Sequence, residues 1–152
     1  MRYILRTCKG REEQANYVKK LIPSVEVCYD KGFGAMSNFL QSLEMAGSDA
    51  VVNLEDDIWI TKNFENKINS IVLKKSNAVI QFFSMRKADL TVGSRWDAGR
   101  SYLMAQCTYF PEKISRGILA FSKKYENINH KSHPLDSMVA DYLNKAKLTL
   151  LC

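Results

Sequence analysis

Apolar positions along this chain fall into two alternating rhythms. Tyr3-Ile4-Leu5 is a short apolar run closed by the polar turn Thr7-Cys8-Lys9-Gly10. Residues 11–21 have helical composition, and Pro23 ends that segment. Val25-Glu26-Val27-Cys28-Tyr29 alternates and is rich in strand formers, which predicts a second strand ahead of the glycine loop Asp30-Lys31-Gly32-Phe33-Gly34. Residues 35–46 place Phe39, Leu40, Leu43 and Met45 at helical spacing, with Gly47 as the stop. In Ala50-Val51-Val52-Asn53-Leu54 the side chains of Val51, Val52 and Leu54 are expected inside a sheet. Residues 63–74 read as a helix, and Ala78-Val79-Ile80-Gln81-Phe82-Phe83 as a fourth strand. Strand character resumes over 103–110, and Pro111 suits the first turn of a helix carrying Ile114, Ile118, Leu119 and Phe121. Residues 135–143 predict a short amphipathic helix, and 148–151 could form a last strand. Such alternation implies an α/β chain in one domain, with right-handed crossovers and a mostly parallel central sheet between helices, an α/β/α sandwich.

One segment breaks the pattern. Residues 84–101 are polar and basic, with Arg86, Lys87, Arg95 and Arg100 around Trp96. A stretch that long is either a solvated loop or a functional lid or binding segment.

Composition narrows the class. With 152 residues and 46% hydrophobic positions the chain can bury roughly two-thirds of its unfolded surface in one core. No apolar run approaches the ~18 residues of a membrane span, and the N-terminus has no secretory pattern. Cys8, Cys28, Cys107 and Cys152 form no C-x-x-C pair, which fits reduced thiols in a cytoplasmic protein. A net charge of +6 favours anionic partners such as nucleotides, nucleic acid or acidic glycans without selecting one.

The third strand runs straight into Glu55, Asp56 and Asp57. Strand alternation would send Glu55 and Asp57 one way and Asp56 the other. Carboxylates so close repel unless a cation neutralises them, and a divalent metal shared with substrate phosphates suits such a site. A solvated acidic turn is the plain alternative. Ligands of open α/β sheets bind beyond the carboxyl ends of the strands. Those ends supply Arg6, Thr7 and nearby Arg11, then Asp30 and Lys31, then the three acids, a set able to hold a nucleoside diphosphate.

The series Asp30-Lys31-Gly32-Phe33-Gly34-Ala35-Met36-Ser37-Asn38, residues 43–46 and Val51-Val52-Asn53-Leu54-Glu55-Asp56-Asp57 resembles nucleotide-sugar glycosyltransferases of the GT-A fold, especially the large family 2. It is most similar to small glycosyltransferase-like proteins encoded by bacteriophages. That likeness takes in Gln81-Phe82-Phe83-Ser84-Met85-Arg86-Lys87, Gly93-Ser94-Arg95-Trp96, Gln106-Cys107-Thr108-Tyr109-Phe110-Pro111 and residues 136–143. The resemblance implies that Thr7 contacts the nucleoside, with Arg6 or Arg11 near base or phosphate. It implies that Asp30, with Lys31 beside it, holds the base. Glu55 would contact ribose or water, Asp56 would assist or serve as a loop acid, and Asp57 would bind Mn2+ or Mg2+ across the diphosphate. Local turn capping is the rival role for Thr7 and Asp30.

An inverting transferase also needs a base for the acceptor hydroxyl. By its late position Asp136 resembles that base, although an Asp after Pro134 also suits a helix N-cap. Asp89, Asp97 and Asp141 are weaker candidates, and His130 and His133 are loop histidines. The resemblance further implies a C-terminal histidine that completes the metal shell. Leu148-Thr149-Leu150-Leu151-Cys152 offers none, so the chain is naturally short or truncated or altered there. The leading expectation is a metal-dependent glycosyltransferase with a UDP-sugar or similar donor and a glycan or modified DNA base as acceptor. The alternatives are a nucleotidyltransferase using the same metal-phosphate chemistry and a non-catalytic nucleotide- or nucleic-acid-binding module.

Overall fold

The computed structural model describes residues 1–83, 94–103, 105–125 and 134–152. Arg86, Lys87, Asp89, His130 and His133, all singled out above, lie outside these residues. In chain order the elements are β1 (Arg2–Thr7), α1 (Glu12–Leu21), β2 (Glu26–Tyr29), α2 (Ala35–Ala46), β3 (Val51–Glu55), α3 (Phe64–Lys74) and β4 (Val79–Gln81). They continue with β5 (Trp96–Ala98), a 3-10 turn (Gly99–Ser101), β6 (Cys107–Phe110), α4 (Glu112–Ser122), α5 (Pro134–Lys145) and β7 (Thr149–Leu151).

The described strands form one sheet in the order β2-β1-β3-β6-β4-β7-β5. β1 pairs in parallel with β2 and β3, and β4 with β7. The pairings of β3 with β6, β4 with β6 and β5 with β7 are antiparallel. The sheet is therefore mixed, and the expected mostly parallel pairing holds only for its first half and one later pair. The causes are the insertion of β6 between β3 and β4 and the antiparallel edge strand β5 beside β7. Periodicity reports which residues are buried, and carries no information on which neighbour a strand chooses or on its direction.

Successive residues of β1 feed opposite layers. Tyr3 and Leu5 pack with Ala15 and Val18 of α1 and Ile68 and Val72 of α3. Ile4 packs with Phe39 and Leu43 of α2, Ile118 of α4 and Met138 and Leu143 of α5. Helices thus cover both faces, which leaves β3 without a solvent side. Asn53, set among apolar neighbours, is fully buried. Among the described residues no helix is long and apolar enough to cross a membrane.

Candidate functional site

β1 lies between β2 and β3, while α1 and α2 leave for opposite faces of the sheet. The crevice at the carboxyl ends of β1 and β3 is consequently the topological switch point, where α/β sheets open a natural binding site. A pocket of about 220 Å³ opens there, lined by Arg6 and Thr7 of β1, Arg11, Asp30, Asn38 of α2, and Glu55 and Asp56. A larger chamber of about 640 Å³ adjoins it, sharing Ala35 and Glu55, with Gly34, Gln106 and Asp136 on its walls.

The two strand-end acids are separated by the alternation of β3. Glu55 shares a face with Asn53 and with Arg6 of β1. Arg6 is 4% exposed and donates from Nε to Asn53 Oδ1 at 2.6 Å, and from Nη2 to Glu55 Oε1 at 2.8 Å and to the Ala105 carbonyl at 3.0 Å. Its guanidinium also lies 5.3 Å from the Phe39 ring centroid. Asn53 in turn donates to Ser42 Oγ, whose hydroxyl donates to the Phe39 carbonyl at 2.6 Å. The charged end of the cleft is therefore held by a buried polar chain reaching into α2. Burial holds the Glu55 carboxyl above the ordinary glutamate range. Arg6 opposes that effect, while Asp57 and Asp136 add to it.

Asp56 takes the opposite face. Its Oδ2 accepts from the Thr7 hydroxyl at 2.5 Å, and its Oδ1 accepts from Arg11 Nη1. The Arg11 guanidinium is held above its ordinary pKa first by that hydrogen bond and then by the charge of Asp56. β3 ends at Glu55, so the expected alternation does not carry through to Asp57. Asp57 is exposed and borders a different depression of about 350 Å³, formed with Glu13, Tyr17 and Trp59.

Asp30 adopts the capping role. Its Oδ1 accepts the backbone N–H groups of Gly32, Phe33 and Gly34 at 3.0, 3.1 and 3.2 Å. Gly32 and Gly34 have φ of 91° and 87°, a region costly for side chains with a Cβ, and so the loop turns tightly into α2. The Thr7 carbonyl accepts from Asn38 Nδ2 at 3.0 Å and from Asp30 N at 2.8 Å, which ties the ends of β1 and β2 to the start of α2. Lys31 is exposed on this loop and lines neither chamber.

Asp136 sits inside the first turn of α5, past the N-cap position, where the helix dipole favours its charge. It faces the larger chamber with Glu55. The weaker base candidates are engaged elsewhere: Asp97 pairs with Arg95 at 3.2 Å, and Asp141 accepts from Tyr125 OH at 3.4 Å.

Among the described residues no group of three or more His, Cys, Asp or Glu side chains is arranged to hold a metal ion. The charge balance nevertheless suits a cation shared with a ligand. Asp30, Glu55, Asp56 and Asp136 line the two chambers, four carboxylates against two guanidiniums, Arg6 and Arg11. Such a surplus matches a divalent ion that takes one or two carboxylates and completes its shell from phosphates and water.

Sequence reasoning missed Asn38, Asn53 and Gln106. Each leaves a trace in the chain, an amide inside an apolar run or at the head of one; Asn38 and Asn53 are buried and hydrogen-bonded, whereas Gln106 is half-buried. No protein-family model, curated protein or solved structure matches this chain.

Proposed function

We propose that the protein is a metal-dependent glycosyltransferase of GT-A type that takes its donor as a nucleoside diphosphate sugar. The observation that carries this reading is the pair of joined chambers at the switch point. The smaller is lined by Arg6, Thr7, Arg11, Asn38 and Glu55, and the larger has both Glu55 and Asp136 in its lining. A pocket of hydrogen-bonding groups and cations suits a nucleoside and its phosphates. An adjoining chamber of about 640 Å³ has room for a sugar and an acceptor hydroxyl.

In this mechanism Arg6 does not move. Its three hydrogen bonds fix it as a buried positive charge beneath the Glu55 carboxylate, so that Glu55 is oriented before the donor arrives. Arg11, half exposed, is the more available cation for a phosphate, because releasing Asp56 exposes its guanidinium to the pocket. Asp57 borders the neighbouring depression but lies close enough for its charge to act on Glu55. Together with Glu55 it would hold Mn2+ or Mg2+, and the cation when bound would supply positive charge against the departing diphosphate. The Asp136 side chain makes no hydrogen bond among the described residues and would accept the proton of the attacking hydroxyl in the larger chamber. The acceptor is a glycan or a modified nucleic-acid base, the anionic choice being favoured by the net charge of +6.

Calorimetric titration with the five common nucleoside diphosphates, in Mn2+ and in chelator, tests the reading. Metal-dependent binding that is lost in Asp57→Ala is expected. Binding that ignores both metal and the substitution would overturn it. Product analysis then separates sugar transfer, which releases a nucleoside diphosphate, from nucleotidyl transfer, which releases pyrophosphate.

A further inference from the structure

Gln106 stands at the turn into β6, and its backbone carbonyl accepts the N–H of Glu55 at 2.8 Å. That bond sets it level with the acid that lines both chambers. The residue lines the larger chamber, together with Gly34, Ala105 and Asp136. The Oε1 atom is buried and has no hydrogen-bond partner. The Nε2 atom makes no hydrogen bond among the described residues either.

A buried amide oxygen without a donor is costly, because it has lost water and gained nothing. A leucine would fill the same space without that penalty, so packing alone does not account for a glutamine here. The terminal torsion of a glutamine is broad and roughly two-fold. A half-turn would therefore present either the oxygen or the nitrogen to the chamber at little conformational cost. An amide poised in this way answers a ligand that carries both donors and acceptors, as a ring of hydroxyl groups does.

We infer that Gln106 is a specificity-determining residue for the transferred group, reading a hydroxyl of the donor sugar through its side-chain amide. The inference rests on the proposed function and goes beyond it by naming the residue that distinguishes a sugar-bearing nucleotide from a bare one. The donor sugar is preferred to the acceptor as its ligand. Glu55 borders both the diphosphate pocket and this chamber, so the group attached to the diphosphate enters the larger chamber at the wall where Gln106 stands. Without sugar, the amide oxygen is turned away from solvent and unpaired; a half-turn brings it to the chamber, where a sugar hydroxyl donates to it, and the gain appears as affinity that the nucleoside diphosphate alone lacks.

The test compares the tightest-binding nucleoside diphosphate with its hexose conjugates and their deoxy analogues, by calorimetry, in the full chain and in Gln106→Leu. The full chain is expected to bind one conjugate more tightly than the bare diphosphate and to lose that increment for one deoxy analogue. In Gln106→Leu the diphosphate affinity is expected to stay within about twofold, while the increment falls by ~10-fold or more and the deoxy discrimination vanishes. An undiminished increment in Gln106→Leu would overturn the inference and leave the glycosyltransferase reading standing. Loss of diphosphate affinity along with the increment would make the residue structural and overturn it as well. Failure of the full chain to bind any nucleoside diphosphate would sink both.

Discussion

Glu55 and Asp56 are adjacent carboxylates with different work, and the difference follows from the pleat of β3 and from what meets each face. Asp56 is 4% exposed and fully engaged, by the Thr7 hydroxyl and by Arg11. Removing its carboxylate in Asp56→Ala strands a buried hydroxyl and releases a cation that is half exposed. The expected cost is about 2 kcal/mol of folding stability, seen as a lower denaturant midpoint at unchanged slope. Asp56→Asn, which keeps an acceptor for Thr7, should lose less. Glu55 behaves in the opposite sense. Burial raises its carboxyl pKa, with Arg6 opposing and Asp57 and Asp136 adding to the rise. A group whose folded pKa exceeds its unfolded value contributes stability below the unfolded pKa, and that contribution is lost as pH rises through the folded one. Ionised Glu55 is therefore a burden at neutral pH. Glu55→Gln should be at least as stable as the natural chain at pH 7, and the difference should shrink as pH falls from the raised Glu55 pKa to the ordinary glutamate pKa, below which it stays constant. Thermal melts of both proteins across that range would check this. A variant that melts much lower at pH 7 would show instead that the Arg6 ion pair outweighs the desolvation. A residue kept at a cost to folding is the kind expected where a ligand supplies the missing charge.

At the scale of elements, the helices and the first strands could be read from period and punctuation, because each has a buried stripe and a polar edge. α2 and its glycine loop were legible for the same reason, down to Asp30 as a candidate cap. β5 was not: Trp96 and Ala98 are exposed and the strand has only three residues, so no apolar rhythm marks it. Nor was the place of β6 between β3 and β4, since a fully buried strand looks alike in either direction. In the site, the residues at strand ends were legible by position, whereas the network of Arg6, Asn53 and Ser42 was not, because it depends on which faces meet in three dimensions. The turn after β5 carries a prediction of its own. A Cβ on Gly99 would lie 2.5 Å from Leu143 Cβ and 2.6 Å from the Leu148 carbonyl oxygen. Neither atom is the loose end of a flexible side chain, so the turn, α5 and the lead into β7 would have to part. Gly99→Ala is expected to cost about 1–3 kcal/mol. Because α5 also carries Asp136, the same variant should weaken whatever binds in the larger chamber, even though Gly99 lines neither pocket. A variant of unchanged melting temperature would mean that the contact yields freely.

For the molecule as a whole, the arrangement joins a basic chain to one cleft in which carboxylates outnumber guanidiniums. Net charge of +6 draws anions to the surface generally, while the acids at the switch point repel a bare diphosphate from the place where it would bind. The two tendencies are reconciled only if a cation accompanies the ligand, and this coupling can be read from stability without knowing the sugar or the acceptor. A ligand that binds the folded chain alone raises its stability by about 2.7 kcal/mol at one hundred times its dissociation constant. For a chain of 152 residues that corresponds to a rise in melting temperature of roughly 5–10 °C. The rise should require nucleoside diphosphate and Mn2+ or Mg2+ together, with either alone giving only a small fraction of it. It should change little between low and moderate salt, since the charges concerned are few and partly buried. A binding module for nucleic acid would behave otherwise: oligonucleotide would stabilise the chain without metal, and the effect would fall steeply with salt as counterions compete for the phosphates. Melting curves with diphosphate, metal, both and oligonucleotide, each at two salt concentrations, therefore distinguish a metal-completed cleft from a basic surface.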